Sequence, residues 1–210
     1  MKKLMGIALM LLLSVTARAT LVITEAMSSS NHTNTFANGD WWELYNDDTV
    51  AVDLTNYSWD DNSATPGSAN FNGLSIGAGE FLIISQETIG EEDSWRTIWG
   101  IPSSVAVVNL GNTEFQNFSA SGDAIYLYSP SSVQIASITF GTATAGYSFE
   151  WDKTGTSLGL SVVGENGAFQ STSMGGGPDV GSPGAIPEPG TLALVAGGLA
   201  ALLMRRHLQR

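Results

Sequence analysis

Between residues 20 and 186 the apolar residues come in short runs rich in Val, Ile, Phe, Tyr and Trp, separated by clusters of Gly, Asn, Asp, Ser and Pro. Runs bounded in this way predict strands at 21–27, 41–46, 50–54, 74–76, 81–85, 105–110, 124–129, 133–140, 147–151 and 158–163. Their regular spacing predicts an all-β sandwich or barrel. Only 91–99 has helical character: Glu91, Glu92 and Asp93 suit a helix start, and Gly100 and Pro102 end it. It is predicted as a short turn at the edge of the fold. Turns are expected at 77–79 (Gly-Ala-Gly) and 121–123 (Ser-Gly-Asp).

The most informative run is Asp40-Trp41-Trp42-Glu43-Leu44-Tyr45-Asn46. Alternation along a strand puts Trp42, Leu44 and Asn46 on one face and Trp41, Glu43 and Tyr45 on the other. Trp42 and Leu44 are expected in the core. Glu43 must be solvated or bonded, because an unpaired buried carboxylate is costly. Asp40 and Asn46 bracket the strand where turn chemistry favours them.

The two ends follow other rules. Residues 1–19 begin with Lys2 and Lys3, continue through an apolar stretch at 4–15, and carry small residues at Ala17 and Ala19 before a cut ahead of Thr20. This is the pattern of a signal peptide removed by signal peptidase. At the other end, Pro187-Glu188-Pro189 precedes an uncharged apolar run at 191–204, followed by Arg205, Arg206, His207 and Arg210. As a transmembrane helix, 14 residues reach about 21 Å, short of a hydrocarbon core of about 30 Å. The run can enter the inner membrane but spans it poorly. Arg205 and Arg206 act as a stop on the cytoplasmic side, leaving Pro187 outside. The order of these parts resembles the PEP-CTERM sorting signal of Gram-negative bacteria. That resemblance implies recognition by an exosortase, a membrane cysteine transpeptidase, with cleavage near Pro187, Glu188 and Pro189 and release or transfer to the cell surface. An ordinary single-pass tail anchor is the alternative.

With both ends set aside, charge becomes informative. The body keeps Arg96 and Lys153 against all the acids except Glu188, a net of −17. A surface this negative repels phosphate backbones, which argues against nucleic acid and in favour of divalent cations. There is no cysteine, so the fold rests on its core. His32 and His207 are the only histidines, which leaves little room for a nucleophile with a histidine base. Paired carboxylates keep open a secreted hydrolase as a minor reading. Asp60 and Asp61, with Asn62, are hard oxygen donors of the kind calcium uses, though without a dedicated loop spacing; the competing reading is that they are turn residues. Trp41 with Tyr45, and Tyr126 with Tyr128, fall in pairs on single strand faces and could stack on surface polysaccharide, unless they pack as a second layer of the sandwich.

The body also resembles the lamin-tail domain, an immunoglobulin-like β-sandwich found in nuclear lamins and many secreted bacterial proteins. The resemblance is carried by Leu21-Val-Ile-Thr-Glu25-Ala-Met, by the run from Gly39 to Asn46 with its motif residues Glu25, Asp40, Trp42, Glu43 and Asn46, and by the segments at 52–61, 74–84 and 121–128. It closes with Gly146-Tyr-Ser148-Phe-Glu150-Trp and Ser182-Pro-Gly-Ala185. Trp151 departs from the arginine usual in bacterial relatives, and 111–120 is longer than the usual loop, so a relative's binding surface does not carry over. The organisation expected is a signal peptide at 1–19, a lamin-tail-like sandwich at 20–170, a Gly/Ser/Pro linker at 171–186 and a sorting and anchor segment at 187–210. The function expected is an exported, non-catalytic cell-surface or extracellular-matrix protein, with a calcium- or polysaccharide-binding adhesion module as the alternative.

Overall fold

The computed structural model describes residues 21–33, 39–71 and 73–186. The expected signal peptide with Ala17 and Ala19, the motif Pro187, Glu188 and Pro189, the apolar run 191–204 and the stop at Arg205 and Arg206 lie outside these residues. In chain order the described elements are β1 (Leu21–Met27), β2 (Trp41–Asn46), β3 (Val52–Asp53), β4 (Ser58–Asp60), β5 (Ala69–Asn70), β6 (Ser75–Ile76), β7 (Phe81–Ser85) and α1 (Glu92–Trp99). They continue with β8 (Ala106–Asn109), α2 (Gly111–Glu114), β9 (Asp123–Tyr128), β10 (Gln134–Phe140), β11 (Phe149–Trp151), β12 (Ser157–Leu160), β13 (Phe169–Gln170) and β14 (Val180–Gly181).

Two sheets form the sandwich, one in the order β12-β11-β1-β2-β7-β8 and the other β10-β9-β4-β5. Between them lies a core in which Trp42 and Leu44 meet Trp59, Phe71, Ile125 and Leu127, as alternation predicts for Trp42 and Leu44. The aromatic rings form a continuous chain: Trp42 to Trp59 at 5.1 Å, Trp59 to Phe115 at 5.1 Å, Phe115 to Phe118 at 5.2 Å and Phe118 to Phe140 at 5.5 Å. The long 111–120 segment is therefore not a free loop. It holds α2 and delivers Phe115 and Phe118 to Trp59. Trp151 likewise packs into this core, 6.5 Å from Phe140.

The outer face of the larger sheet is also covered, which alternation alone did not foresee. Trp41 is buried at 1% exposure in a second cluster with Met27, Ile83, Trp95, Ile98, Trp99 and Val107. Helix α1 has two turns rather than one because Trp95, Ile98 and Trp99 share a face at helical spacing. Their rings meet Trp41 edge-on, Trp95 at 5.6 Å and Trp99 at 5.3 Å. Gly100, at φ 66, closes the helix through its N–H to the carbonyls of Arg96 and Thr97. Tyr45 is buried too, against Phe81 at 4.9 Å, and Tyr128 is buried in β9. Trp41, Tyr45 and Tyr128 thus follow the packing reading of the paired aromatics, while Tyr126 is half-buried.

Other corrections concern short elements. β4, β5, β13 and β14 are two or three residues long, too short to show an alternation. The strand expected at 158–163 ends at Leu160, leaving Val162 and Val163 about half exposed. The linker expected at 171–186 is part of the fold: β14 pairs with β13, and Ser171 and Ser182 are buried. Because Trp59 packs against Trp42, Phe115 and Phe118 at once, Trp59→Ala should cost about 3–5 kcal/mol. Urea denaturation should show a lower midpoint with an unchanged slope.

Candidate functional site

The lamin-tail motif glutamates converge beneath the last segment of the fold. In β1 the register against β2 slips between Ile23 and Glu25, so Thr24 is an extra residue and Glu25 turns to the outer face. Glu25 then stands directly opposite Glu43 of β2 on one side and Glu150 of β11 on the other. Three carboxylates thus lie side by side across adjacent strands, all but fully buried. Neither basic side chain of the body compensates them: Arg96 bonds Asp93 at 2.7 Å and Lys153 approaches Asp47 at 4.0 Å.

What satisfies them is the strap 180–185, crossing over this face. Glu25 Oε1 accepts the Ser182 N–H at 2.7 Å and the Ser148 hydroxyl at 2.5 Å, while Oε2 accepts the Ser182 hydroxyl at 3.1 Å. Glu43 Oε1 accepts the Thr24 hydroxyl at 2.6 Å, and Oε2 accepts the Gly184 N–H at 2.6 Å. Glu150 Oε2 accepts from Asn166 Nδ2 at 3.1 Å. The local sequence accounts for this geometry. Ser182-Pro183-Gly184-Ala185 closes with Ala185 N–H on the Ser182 carbonyl at 2.9 Å, with Pro in second place and Gly184 at φ 81 in third, the arrangement of a type II turn. Such a turn leaves the third N–H pointing outward, and here it meets Glu43. Gly181 is needed for another reason: a Cβ there would lie 2.6 Å from Glu25 Oε1 and 3.1 Å from the Trp99 ring.

The remaining motif residues are fasteners. Asn46 Nδ2 donates to the carbonyls of Val50 (2.8 Å), Ile76 (3.2 Å) and Gly77 (3.0 Å), and its Oδ1 accepts Asp48 N–H at 3.1 Å. Asp40 Oδ2 accepts the Phe118 N–H at 2.9 Å, tying the long 111–120 segment to the start of β2. Asp60 is buried and spends Oδ2 on the Ser63 hydroxyl (2.5 Å) and Thr65 N–H (2.6 Å), while Asp61 Oδ1 accepts Ser63 N–H at 2.8 Å. These are turn bonds, and among the described residues no group of three potential acidic or histidine ligands is placed to hold a metal ion. Asp60 Oδ2 and Asp61 Oδ1 thus make the bonds that the turn reading expects, while Asp60 Oδ1 is buried without a hydrogen-bond partner among the described residues.

One arrangement was not legible in the sequence. His32 Nε2 lies 2.9 Å from Ser171 Oγ, and His32 Nδ1 lies 3.5 Å from Asp179 Oδ2. This is the contact order of a nucleophile, base and acid. Here, however, the Ser171 hydroxyl also accepts the Asp179 N–H at 2.8 Å, and Asp179 takes the Ser30 hydroxyl at 2.5 Å and the Asn31 N–H at 2.7 Å. All three residues are buried. The array is a knot that fastens 30–32 to the segment leading into the strap.

Burial sets the electrostatics. It pushes Glu43 up to about 8 against the opposing hydrogen bonds of Gly184 and Thr24. Burial, followed by the charge of Glu43, raises Glu25 well above the usual carboxylate range, and burial also raises Glu150. Asp40 rises to about 7, again by burial, with Asp123 and Glu87 adding to it.

A family model described as Lamin Tail Domain matches residues 14–142. The chain belongs to that family. A second model, the PEP-CTERM protein-sorting motif, matches 185–207. No curated protein matches the chain. The lamin-tail sandwich as built here continues past the matched region, since Glu150 and the Ser182–Ala185 turn complete what Glu25 and Glu43 begin. Glu150, Ser182 and Gly184 could have been singled out earlier: they sit in the two closing motifs, and Ser-Pro-Gly-Ala is itself a turn signature. The sorting motif starts on Ala185, inside the turn that Glu43 holds.

A raised carboxyl holds a proton in the folded state that the unfolded chain has already lost. For Glu43 this window runs from the ordinary 4.5 to about 8, and each unit costs about 1.4 kcal/mol as pH rises through it. The melting temperature should therefore be highest near pH 5 and fall toward pH 9, and Glu43→Gln should flatten that slope. Asp179→Ala, which removes three bonds to 30–32 at once, should cost about 2–4 kcal/mol, read by the denaturation midpoint.

Proposed function

We propose that the protein is an exported, non-catalytic module of the cell surface or extracellular matrix, addressed by its sorting motif and processed by an exosortase. The single observation that carries this reading is the match of the PEP-CTERM protein-sorting motif to residues 185–207, which begins on the turn that Glu43 holds. The lamin-tail sandwich clasps the strap before it through Glu25 and Glu43. In this reading residues 1–19 direct export and are removed after Ala19, 191–204 hold the precursor in the inner membrane, Arg205 and Arg206 set its orientation, and the cut falls near Pro187, Glu188 and Pro189. Attachment is transient, and the mature domain is delivered outside.

A non-catalytic role is supported by the same geometry. The clustered carboxylates are occupied by the strap, and the serine beside His32 is enclosed. Trp41, Tyr45 and Tyr128 are buried, so neither aromatic pair presents two open rings to a sugar, and a matrix role through the acidic surface is favoured over an aromatic sugar-binding site. Intact mass of protein recovered from envelope and medium should show a C-terminus near 187–189 when the exosortase is present. Without it the chain should still end at Arg210. A chain still ending at Arg210 in both strains would mean a plain membrane anchor.

A further inference from the structure

We propose that the end of the sandwich from which the tail leaves is a membrane-docking rim, seated on the outer leaflet of the bilayer before the tail is cut. This rests on the reading that 191–204 enters that bilayer. The rim is built around the strap. On one side is the turn 161–168: Gly167 approaches so closely that a Cβ there would stand 3.0 Å from Ala185 Cβ, and Ser161 Oγ donates to the Val180 carbonyl at 2.8 Å. This turn carries Val162 and Val163, which are 49% and 53% exposed and are the only two consecutive residues among the exposed large apolar side chains of the described residues. On the other side is Val105, whose Cγ2 would lie 3.0 Å from a Cβ on Gly184. Ile186, partly exposed, leaves between them.

Tether length makes the bilayer the occupant. Only residues 186–190 separate the last clasped residue, Ala185, from the apolar run at Thr191. Five residues extend at most about 17 Å. The headgroup layer takes up roughly 5–8 Å of that reach. What is left is shorter than the radius of gyration of a body of this size, about 15 Å. A domain on so short a leash cannot turn over, and the end holding the strap must face the lipid. Two half-exposed valines beside the exit then have apolar surface to bury in the interface. The same turn carries exposed Glu165, so the contact rests on the burial of Val162 and Val163 against that charge; the rest of the acidic surface has no such consecutive apolar pair among the described residues to offset its repulsion from anionic headgroups.

The chain has no cysteine, so one introduced residue reports one position. Full chain with Val163→Cys, and separately with Val133→Cys as an exposed control on the hairpin between β9 and β10, would carry an environment-sensitive fluorophore. Each would be reconstituted in vesicles of phosphatidylcholine and phosphatidylglycerol, with and without bromine-labelled acyl chains. The expected result is a blue-shifted emission at 163 and at least twofold stronger quenching there than at 133. A ten-residue Gly/Ser insertion between Ile186 and Pro187 should weaken that difference. Equal, water-like emission at both positions in chain that floats with the vesicles would overturn the docking while leaving the anchor intact. Protection at 163 only when an exosortase is also present would assign the rim to a protein face and overturn it too. Chain that fails to float with the vesicles would remove the anchor reading itself, and the docking with it.

Discussion

Three buried carboxylates with no basic side chain paired to them among the described residues are the constraint on which the rest of this structure depends. Glu150, Glu25 and Glu43 lie in register across β11, β1 and β2, in a body whose basic residues are spent elsewhere. Charge that cannot be paired must be met by N–H and O–H donors or be protonated. The strap supplies donors through Ser182 and Gly184, Thr24, Ser148 and Asn166 add theirs, Glu150 Oε1 is left without a partner among the described residues, and burial raises all three carboxyls. The strap is therefore required by the sheet beneath it. Without it the carboxylates would lose their best partners and face solvent across an otherwise apolar layer.

That requirement explains the layering. A simple sandwich would leave the outer face of the larger sheet wet, yet Trp41, Trp95 and Trp99 pack there edge to face. Helix α1 covers one part of this face and the strap crosses the glutamates beside it. The knot of His32, Ser171 and Asp179 anchors the chain on its way to the strap. The final residues before the sorting motif are thus among the best-fastened of the fold, and the tail departs from a rigid point.

Much of this was visible in the chain. β1, β2 and β7 appear at the expected residues, because each is a run of apolar residues with clear turn formers at both ends. Trp42 and Leu44 face the core as their alternation implies, and Glu43 has the partner that its position demanded. The identity of that partner was hidden, since Gly184 lies far along the chain and donates through its backbone. The strap was misjudged for a physical reason: Ser, Gly and Pro at 171–186 have the composition of a free linker, and composition does not reveal that their N–H groups are claimed by distant carboxylates. The second aromatic layer was equally obscure, because Trp41 looks the same in sequence whether water or Trp99 lies over it. At Asp60 and Asp61 the two readings of an acidic pair were both open in the sequence, and the structure shows turn bonds at Asp60 Oδ2 and Asp61 Oδ1.

Hydrogen exchange at the backbone amides of Ser182 and Gly184 tests the central claim most directly. If Glu25 and Glu43 hold the strap as part of the cooperative fold, both amides exchange only on global unfolding, as slowly as the central strands β1 and β2. Exchange at the rate of an open loop, with the strands still protected, would mean that the strap is a loose linker. The folded domain would then end well before the sorting motif.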